Sequence, residues 1–518
     1  MTNNILTKIK SSLPFLIVLA VSSLFFLTNL GKNTLADWDE AWYADASRYM
    51  FNNQHYLTPV WNNYYFFDKP PLQYWLTQPF LYIFGENEIA YRLPSALSAI
   101  GLILVTYLWG AGSLRNFTQW TQVSQTSNIY SGLAAAAILL SFPHFLDRGK
   151  SGNFDALFIL LTTLSLYFYN KGKYFRSGIF LGFSWLTKGV FSGFFPVVVA
   201  GIYGIYDLFK HKSFRFLKFS ILMIAGALII YAPWHLVESN RFEELIQKSY
   251  FSTFDQGEFG DKSWGSIVWR FDLRYLVFLN TFLRWWFPIM IIAGLSQLLS
   301  LNKNLLSNKP ARTRSFVSDS MPIITFLVIF LALSAAKEKN DWYIMPVYPF
   351  VALMIADVVK KFTKLLLTKI GFVNFHNIRP VIASVIFAAV IFFSAANLIR
   401  HWNQAFPPDK HLPEKQVAMT VKSLTRPDEI LLTAEYEFPT LRYYSQREVR
   451  TSTPQQDYEG KYWWVWDSAD IATVLRRGQK IVTIHRPGTE WSIDIWGYHR
   501  VKIGEINGRI ISRIVPGN

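Results

Sequence analysis

Two pairs of charged residues near the start of the chain have the types and spacing to do chemistry. Asp39 and Glu40 are adjacent in the stretch LADWDEAWYADASRYM, and Asp68 and Lys69 are adjacent in NNYYFFDKPPLQYWL, directly before two prolines. A positioned carboxylate can take a proton from a reacting hydroxyl, and a lysine ammonium is a compact cation that binds phosphate. The two stretches therefore offer a candidate general base and a candidate anion-binding group.

The composition indicates which elements must position these residues. The chain has 518 residues, of which 51% are hydrophobic, 17% aromatic and 17% charged, whereas a soluble domain carries about 25% charged residues. This excludes a disordered chain, a coiled coil and a disulfide-bonded secreted scaffold, and the absence of cysteine excludes a thiolate metal site or nucleophile. The apolar residues fall in blocks of about 17 to 25, the length with which a helix crosses roughly 30 Å of hydrocarbon. We therefore expect a polytopic α-helical membrane protein with about 11–13 transmembrane helices.

Eleven segments are predicted as spans, and residues 174–209 are also compatible with one span and a re-entrant piece. The spans are expected at about 13–30, 87–110, 129–146, 153–169, 174–187, 189–209, 216–237, 275–299, 320–336, 342–359 and 379–398. With the N-terminus inside, the basic loops at 171–176, 210–218 and 360–369 fall on the cytoplasmic side, as the positive-inside rule requires. The same rule accounts for the net charge of +16, so nucleic acid is not an expected partner.

Acidic residues at the membrane edge sort to the opposite face, which they share with the outer loop 31–86. Charged groups near hydrocarbon are costly and usually functional, so the active site is predicted to be extracytoplasmic. Structural interpretations stay open: Asp39 and Glu40 suit the first turn of a helix, each favourable by about 1 kcal/mol or less. Lys69 suits an interfacial lysine paired with Asp68.

The composition changes near residue 400. Residues 1–400 are predicted to form the transmembrane domain, with interfacial helices in loop 31–86, and residues 401–518 an extracytoplasmic soluble α/β domain. In the second part, strand-like runs (EILLTAEY, KYWWVWD, KIVTIHR) alternate with the helical patterns LPEKQVAMTVKSL and SADIATVLRRG. We expect this domain to cover the catalytic face.

Several motifs, in order over roughly residues 35–355, resemble the polyprenyl-phosphate-sugar glycosyltransferases of the C-type membrane fold. The resemblance is to the branch that holds dolichyl-phosphate-mannose protein mannosyltransferases and aminoarabinose–lipid A transferases. The motifs are DEAWYA, FDKPPLQYWL, YRLPSAL, LDRGKSGNFDALFILL, FSWLTKGVFSGFFP, YAPWHL and NDWYIMPVYPFVALMIA.

The resemblance implies a role for each matching residue. Asp39 would be the catalytic carboxylate that activates or orients the acceptor hydroxyl, with Glu40 in support and Asp155 at a second acidic position of the family. Lys69 would bind the lipid-linked phosphate. Further donor-site positions fall on Tyr43, Arg148, Lys188 and Tyr343. Local interpretations remain for these: a loop charge at Lys188, an ion pair of Asp147 with Arg148, an interfacial Tyr343 and a helix cap at Asp155.

The expected metal site departs from the family pattern. Aminoarabinose transferases pair an acidic residue before the lysine with a histidine in a later outer loop. Here Asp68 fills the first place, but residues 238–274 contain no histidine. Asp255 and Glu258 offer oxygen ligands that suit Mg²⁺ or Mn²⁺; the alternative is that no metal is bound.

The sequence thus predicts a bacterial inner-membrane glycosyltransferase that moves a sugar from a polyprenyl-phosphate donor to a lipid, glycan or protein hydroxyl on the outer face. A single direct displacement would invert the anomeric centre. Two other classes stay open: a transporter or flippase of polyprenyl-linked lipid, and a non-catalytic envelope assembly protein. The sugar, the acceptor and the oligomeric state are not predicted.

Overall fold

A computed structural model gives the architecture of the chain. It describes residues 2–112, 126–190, 192–246, 272–306, 313–336, 339–370, 378–433, 438–451, 466, 468–488 and 497–517.

The transmembrane part is built of fifteen helices and one short hairpin among the described residues. The helices are α1 (Thr2–Leu27), α2 (Asp39–Asn53), α3 (Leu72–Phe84), α4 (Glu88–Gly110), α5 (Thr126–Leu140), α6 (Pro143–Lys150), α7 (Asp155–Asn170), α8 (Tyr174–Lys188), α9 (Phe195–His211), α10 (Arg215–Ile246), α11 (Arg274–Leu283), α12 (Trp286–Leu306), α13 (Thr313–Ala335), α14 (Tyr348–Ile370) and α15 (Ile378–Arg400). Strands β1 (Val60–Trp61) and β2 (Tyr64–Tyr65) form the hairpin, and a 3₁₀ helix covers Asp341–Val347.

The predicted polytopic helical membrane fold is confirmed. Among the described residues, five helices are long and apolar enough to span a membrane, and two bent helix pairs raise that number to as many as seven. Helices α7, α8 and α9 are shorter, at 16, 15 and 17 residues. Each predicted span contains helical residues, although the predicted span 189–209 begins before α9, which starts at Phe195.

Two predicted spans are not continuous helices. The expected span 129–146 ends at Leu140, and α6 turns away by 72° because Pro143 at its first position cannot continue the preceding helix. The expected span 275–299 bends by 119° between α11 and α12, where Arg284 has a positive φ of 45°. The first bend directs Arg148 of α6 toward the ends of the neighbouring helices.

Small residues allow the helices beside the site to approach closely. Gly178 and Gly182 of α8 lie against Gly226 and Ala227 of α10, and a Cβ built on Gly182 would come within 2.5 Å of the Ala227 carbonyl oxygen. This spacing is the GxxxG pattern of membrane helix pairs.

Residues 31–86 contain α2, the hairpin and α3, and α2 is largely buried. Most of its residues, including Tyr43, Asp45 and Arg48, are buried. The reason is tertiary: Leu35, Ala41 and Ala44 share one apolar core with residues of the C-terminal domain.

The C-terminal part confirms the predicted α/β domain. Helices α16 (Trp402–Ala405), α17 (Leu412–Leu424), α18 (Phe438–Ser445) and α19 (Ser468–Arg476) accompany strands β3 (Ile430–Thr433), β4 (Val449–Thr451), β5 (Ile481–His485), β6 (Tyr498–Ile506) and β7 (Arg509–Pro516). The sheet order is β4-β3-β5-β7-β6, with β3 parallel to β4 and β5, and β7 antiparallel to β5 and β6. Of the predicted strand KYWWVWD, only Trp466 is among the described residues.

Candidate active site

The start of α2 presents Asp39 at one end of the helix bundle. Trp38 precedes the helix with φ 63° and ψ −113°, a conformation that aromatic residues rarely adopt. The side chain of Asp39 is 42% exposed, and its Oδ2 lies 3.4 Å from Nη2 of Arg148. Asp39 is therefore a carboxylate that solvent or substrate can reach, next to a cation.

Two cations converge on the buried Asp155, which begins α7. Arg148 of α6 donates from Nε to Oδ2 at 2.8 Å and also from Nη2, and Lys188 at the end of α8 donates to Oδ1. Asn153 stabilises the segment between α6 and α7. Its side chain donates to the Arg148 carbonyl at 3.1 Å and accepts from the Asp155 amide at 2.9 Å. The Arg148 guanidinium also lies 5.0 Å from the ring of Trp342. Asp155 thus holds two cations beside Asp39.

Glu40 points away from solvent and is fully engaged by the protein. Its two oxygens accept from Arg92 Nε and Nη2 at 2.7 and 2.8 Å, from the Ala36 amide at 2.7 Å and from the Gly152 amide at 2.6 Å. Burial raises the pKa of Glu40, but the Arg92 charge and these hydrogen bonds outweigh it, so the pKa is lowered. Glu40 therefore positions the segment that carries Asp39. Sequence reasoning did not assign Arg92, although YRLPSAL in the family pattern contains it.

A second group forms around the lysine that precedes Pro70. The Tyr43 hydroxyl donates to Asp68 Oδ2 at 3.0 Å, and the Lys69 ammonium lies 3.1 Å from the same oxygen. Burial, together with the charges of Asp68 and Asp39, raises the pKa of Tyr43. The Tyr43 ring packs on Phe154 at 4.5 Å between centroids. Tyr43 therefore connects Asp68 and Lys69 to the start of α7.

The 3₁₀ helix supplies the last predicted site residue. Tyr343 is half-buried, with its ring centroid 5.9 Å from that of Trp342. Below it, His144 Nδ1 lies 3.2 Å from the Tyr348 hydroxyl, and its Nε2 lies 4.0 Å from Asp341. Trp342 was missed from the sequence because 17% of the residues are aromatic, and His144 was missed because a single histidine forms no motif.

The predicted metal ligands are Asp68, Asp255 and Glu258. Asp68 is bound to Tyr43 and Lys69, while Asp255 and Glu258 lie outside the described residues. In the part of the chain that the structure describes, no three histidine or acidic side chains come together as metal ligands. The divalent-ion site stays a prediction.

The arrangement combines an accessible carboxylate with cations at one end of the bundle. Asp39 can accept a proton, while Lys69, Arg148 and Lys188 can stabilise charge that develops on a leaving phosphate. The candidate site is assembled from α2, the segment before α3, and α6, α7 and α8.

Sequence comparisons identify proteins that are similar to this chain. Residues 68–236 match the family model described as dolichyl-phosphate-mannose-protein mannosyltransferase. The undecaprenyl phosphate-alpha-4-amino-4-deoxy-L-arabinose arabinosyl transferase of Pseudomonas savastanoi pv. phaseolicola is 27% identical over 354 residues, which cover 66% of this chain and 60% of that protein. A protein of the same description from Proteus mirabilis is 25% identical over 384 residues, covering 71% and 64% of the two chains. The chain thus matches somewhat under two thirds of the length of these relatives.

A solved structure has the same architecture. ArnT from Cupriavidus metallidurans, bound to undecaprenyl phosphate, superposes with a TM-score of 0.69 at 16% identity, covering 96% of this chain and 97% of that one. The chain has the fold of that protein, a multi-pass helical membrane domain followed by a smaller α/β domain. The resemblance predicted from the sequence motifs is confirmed.

Proposed function

We propose that the chain is an integral membrane glycosyltransferase that moves a sugar from a polyprenyl-phosphate donor to an acceptor hydroxyl on the extracytoplasmic face. The observation that carries the proposal is the exposed carboxylate of Asp39, 3.4 Å from Arg148, next to the buried bridge of Arg148 and Lys188 on Asp155. The resemblance to transferases whose names include undecaprenyl phosphate supports the donor class.

The proposed reaction is a single displacement. The acceptor oxygen attacks the anomeric carbon as its proton passes to Asp39, and the bond from that carbon to the phosphate oxygen breaks with its electron pair on the phosphate. Lys69, Arg148 and Lys188 stabilise the negative charge that develops there. Attack opposite the leaving group inverts the anomeric centre. The acceptor class is a lipid, a glycan or a protein hydroxyl.

The proposed location is the bacterial inner membrane, with the N-terminus cytoplasmic and the site and C-terminal domain outside. Helix α9 has 17 residues, or about 25 Å at 1.5 Å per residue. It separates the Lys188 end of α8 from the basic segment 210–218, which the positive-inside rule assigns to the cytoplasm.

Sugar transfer by purified protein in detergent tests the proposal. The protein would be offered a panel of undecaprenyl-phosphate sugars and extracted envelope lipids, and wild type compared with Asp39→Asn and Lys69→Ala. Asp357→Asn is the matched control, because this residue forms an ion pair with Lys361 at 2.7 Å along α14, away from the site. We expect transfer by wild type and the control, and loss in both site variants.

Absence of transfer from every donor, with Asp39→Asn equal to wild type in cells, would reject the catalytic proposal in favour of transport or assembly. Parallel reactions with a chelator test the proposed divalent ion. Loss of transfer that added Mg²⁺ or Mn²⁺ restores would support a site that includes Asp68, and unchanged transfer would exclude a required metal.

A further inference from the structure

Helix α18 of the C-terminal domain is bound directly to the segment that leads into Asp39. The Thr440 amide and hydroxyl both donate to Asp37 Oδ1, at 2.8 and 2.9 Å. The Tyr444 hydroxyl accepts from the Leu35 amide at 2.9 Å and donates to Glu88 at 2.8 Å. Asp37 therefore caps the first turn of a helix 403 residues away, where a carboxylate interacts favourably with the helix dipole.

The residue between Asp37 and Asp39 has a strained backbone. Trp38 has φ 63° and ψ −113°, and a non-glycine residue keeps such a conformation only where its surroundings fix it. On one side Thr440 fixes Asp37. On the other, the Trp42 amide donates to the Trp38 carbonyl at 2.9 Å, and the two indole rings pack edge to face at 4.9 Å.

The middle of α2 also contacts α18. Arg442 Nε donates to Asp45 at 3.1 Å, and Arg48 Nη1 donates to the Tyr443 carbonyl at 2.7 Å. Arg48 also pairs with Asp45 within α2, and its guanidinium lies 4.7 Å from the Tyr443 ring centroid. Asp45, Arg48 and Tyr443 are all buried. Thus α18 contacts the segment before α2 and also the second and third turns of α2.

We infer that α18 sets the position of the catalytic carboxylate, with Thr440 as a positioning residue that acts on Asp39 through Asp37 and the strained Trp38. The catalytic part of this inference rests on the function proposed for Asp39. The C-terminal domain then takes part in positioning the active site. Misplacement of a reacting group by about 1 Å can lower a rate about 100-fold, so a small relaxation at Trp38 is enough to matter.

Thr440→Val tests the inference because it removes the hydroxyl while keeping the shape of the side chain. Thr483→Val is the matched control: Thr483 is equally buried in the same domain, and its hydroxyl donates to the Ser512 carbonyl at 3.2 Å within the sheet. Thr440→Ser restores the hydroxyl. For each full-length variant we would measure kcat and KM for transfer, the thermal midpoint, and amide hydrogen exchange over residues 36–44.

We expect Thr440→Val to lower kcat about 10- to 100-fold with KM little changed, and to speed exchange over residues 36–44. Its thermal midpoint should match that of Thr483→Val, and Thr440→Ser should recover most of the rate. Equal kcat and equal exchange in the two valine variants would overturn the inference. If wild type transfers no sugar, the proposed function fails, and exchange over 36–44 still decides whether Thr440 holds the segment.

Discussion

Glu40 and Asp39 are adjacent, but one is buried and the other partly exposed. Loss of charge at Glu40 should mainly lower stability, whereas loss of charge at Asp39 should mainly lower sugar transfer. Glu40 is 3% exposed and accepts four hydrogen bonds, two of them from Arg92. In Glu40→Gln one acceptor oxygen becomes an NH₂ group that faces N–H donors, and the buried Arg92 loses its counter-charge. Removing one partner of a buried ion pair costs about 3–5 kcal/mol, a large part of the roughly 5–15 kcal/mol by which proteins are stable.

Asp39→Asn should leave the free energy of unfolding nearly unchanged. Its side chain is 42% exposed, and its contact with Arg148 is 3.4 Å long. Arg148 keeps Asp155 as its main partner, so loss of the contact with the partly exposed Asp39 should cost about 0–1 kcal/mol. The asparagine amide cannot take the proton from the acceptor hydroxyl. The rate of sugar transfer should therefore fall by at least about 100-fold, the lower end of what general-base catalysis supplies.

The assay is unfolding in detergent, by heat and by SDS titration, with sugar transfer measured on the same preparations. Glu505→Gln is the control for loss of an exposed glutamate, because Glu505 pairs with Lys502 at the surface of the C-terminal domain. Full stability with abolished transfer in Glu40→Gln would mean that Glu40 meets the substrate. Equal destabilisation in both site variants would refute the division of roles.

Three further outcomes follow from the contacts. Lys69→Ala should weaken binding of undecaprenyl phosphate about 10- to 100-fold, as expected for a lost hydrogen bond to a charged group; the stabilisation by added lipid phosphate measures it, and unchanged stabilisation would exclude Lys69 from the phosphate site. Burial raises the pKa of Asp45, but the charges of Arg442 and Arg48 outweigh it and lower the pKa. This stabilisation is present above the ordinary value near 4 and is lost as pH falls through the lower folded value, so the thermal midpoint should decline below about pH 4, more steeply in wild type than in Asp45→Asn. Gly182→Ala should destabilise by about 1–3 kcal/mol because its Cβ meets α10, whereas a Cβ at Gly201 has nothing within 4 Å, so Gly201→Ala should be neutral or stabilising.

Local patterns predicted most of the membrane helices and part of the C-terminal domain. The apolar blocks predicted the positions of the membrane helices. A short apolar segment in hydrocarbon satisfies its backbone hydrogen bonds by forming a helix. Helices α17 and α19 were predicted from the helical patterns LPEKQVAMTVKSL and SADIATVLRRG. The hairpin of β6 and β7 was overlooked, although Asn507 and Gly508, both with positive φ, form the Asn-Gly dipeptide typical of such turns.

Tertiary contacts were not predictable in the same way. The bend at Arg284 was not predicted, although Pro288 lies in the first turn of α12, where proline is common. The pairing of Glu40 with Arg92 joins residues 52 positions apart. The contact of Thr440 with Asp37 crosses 403 positions. Such contacts leave no period in the sequence, so the packing of α2 against the C-terminal domain was not predicted.

The carboxylates of Asp39, Glu40 and Asp155 differ in how deeply they are buried. Glu40 and Asp155 are buried, and cations hold their oxygens; they determine where Arg92, Arg148 and Lys188 lie. Asp39 is partly open to solvent, as a group that exchanges protons with a substrate must be. A buried carboxylate that gave up its charge during turnover would leave its cations unpaired, at a cost of several kcal/mol. Under the proposed function, Asp39 is therefore the carboxylate that reacts, while Glu40 and Asp155 keep the reacting geometry fixed.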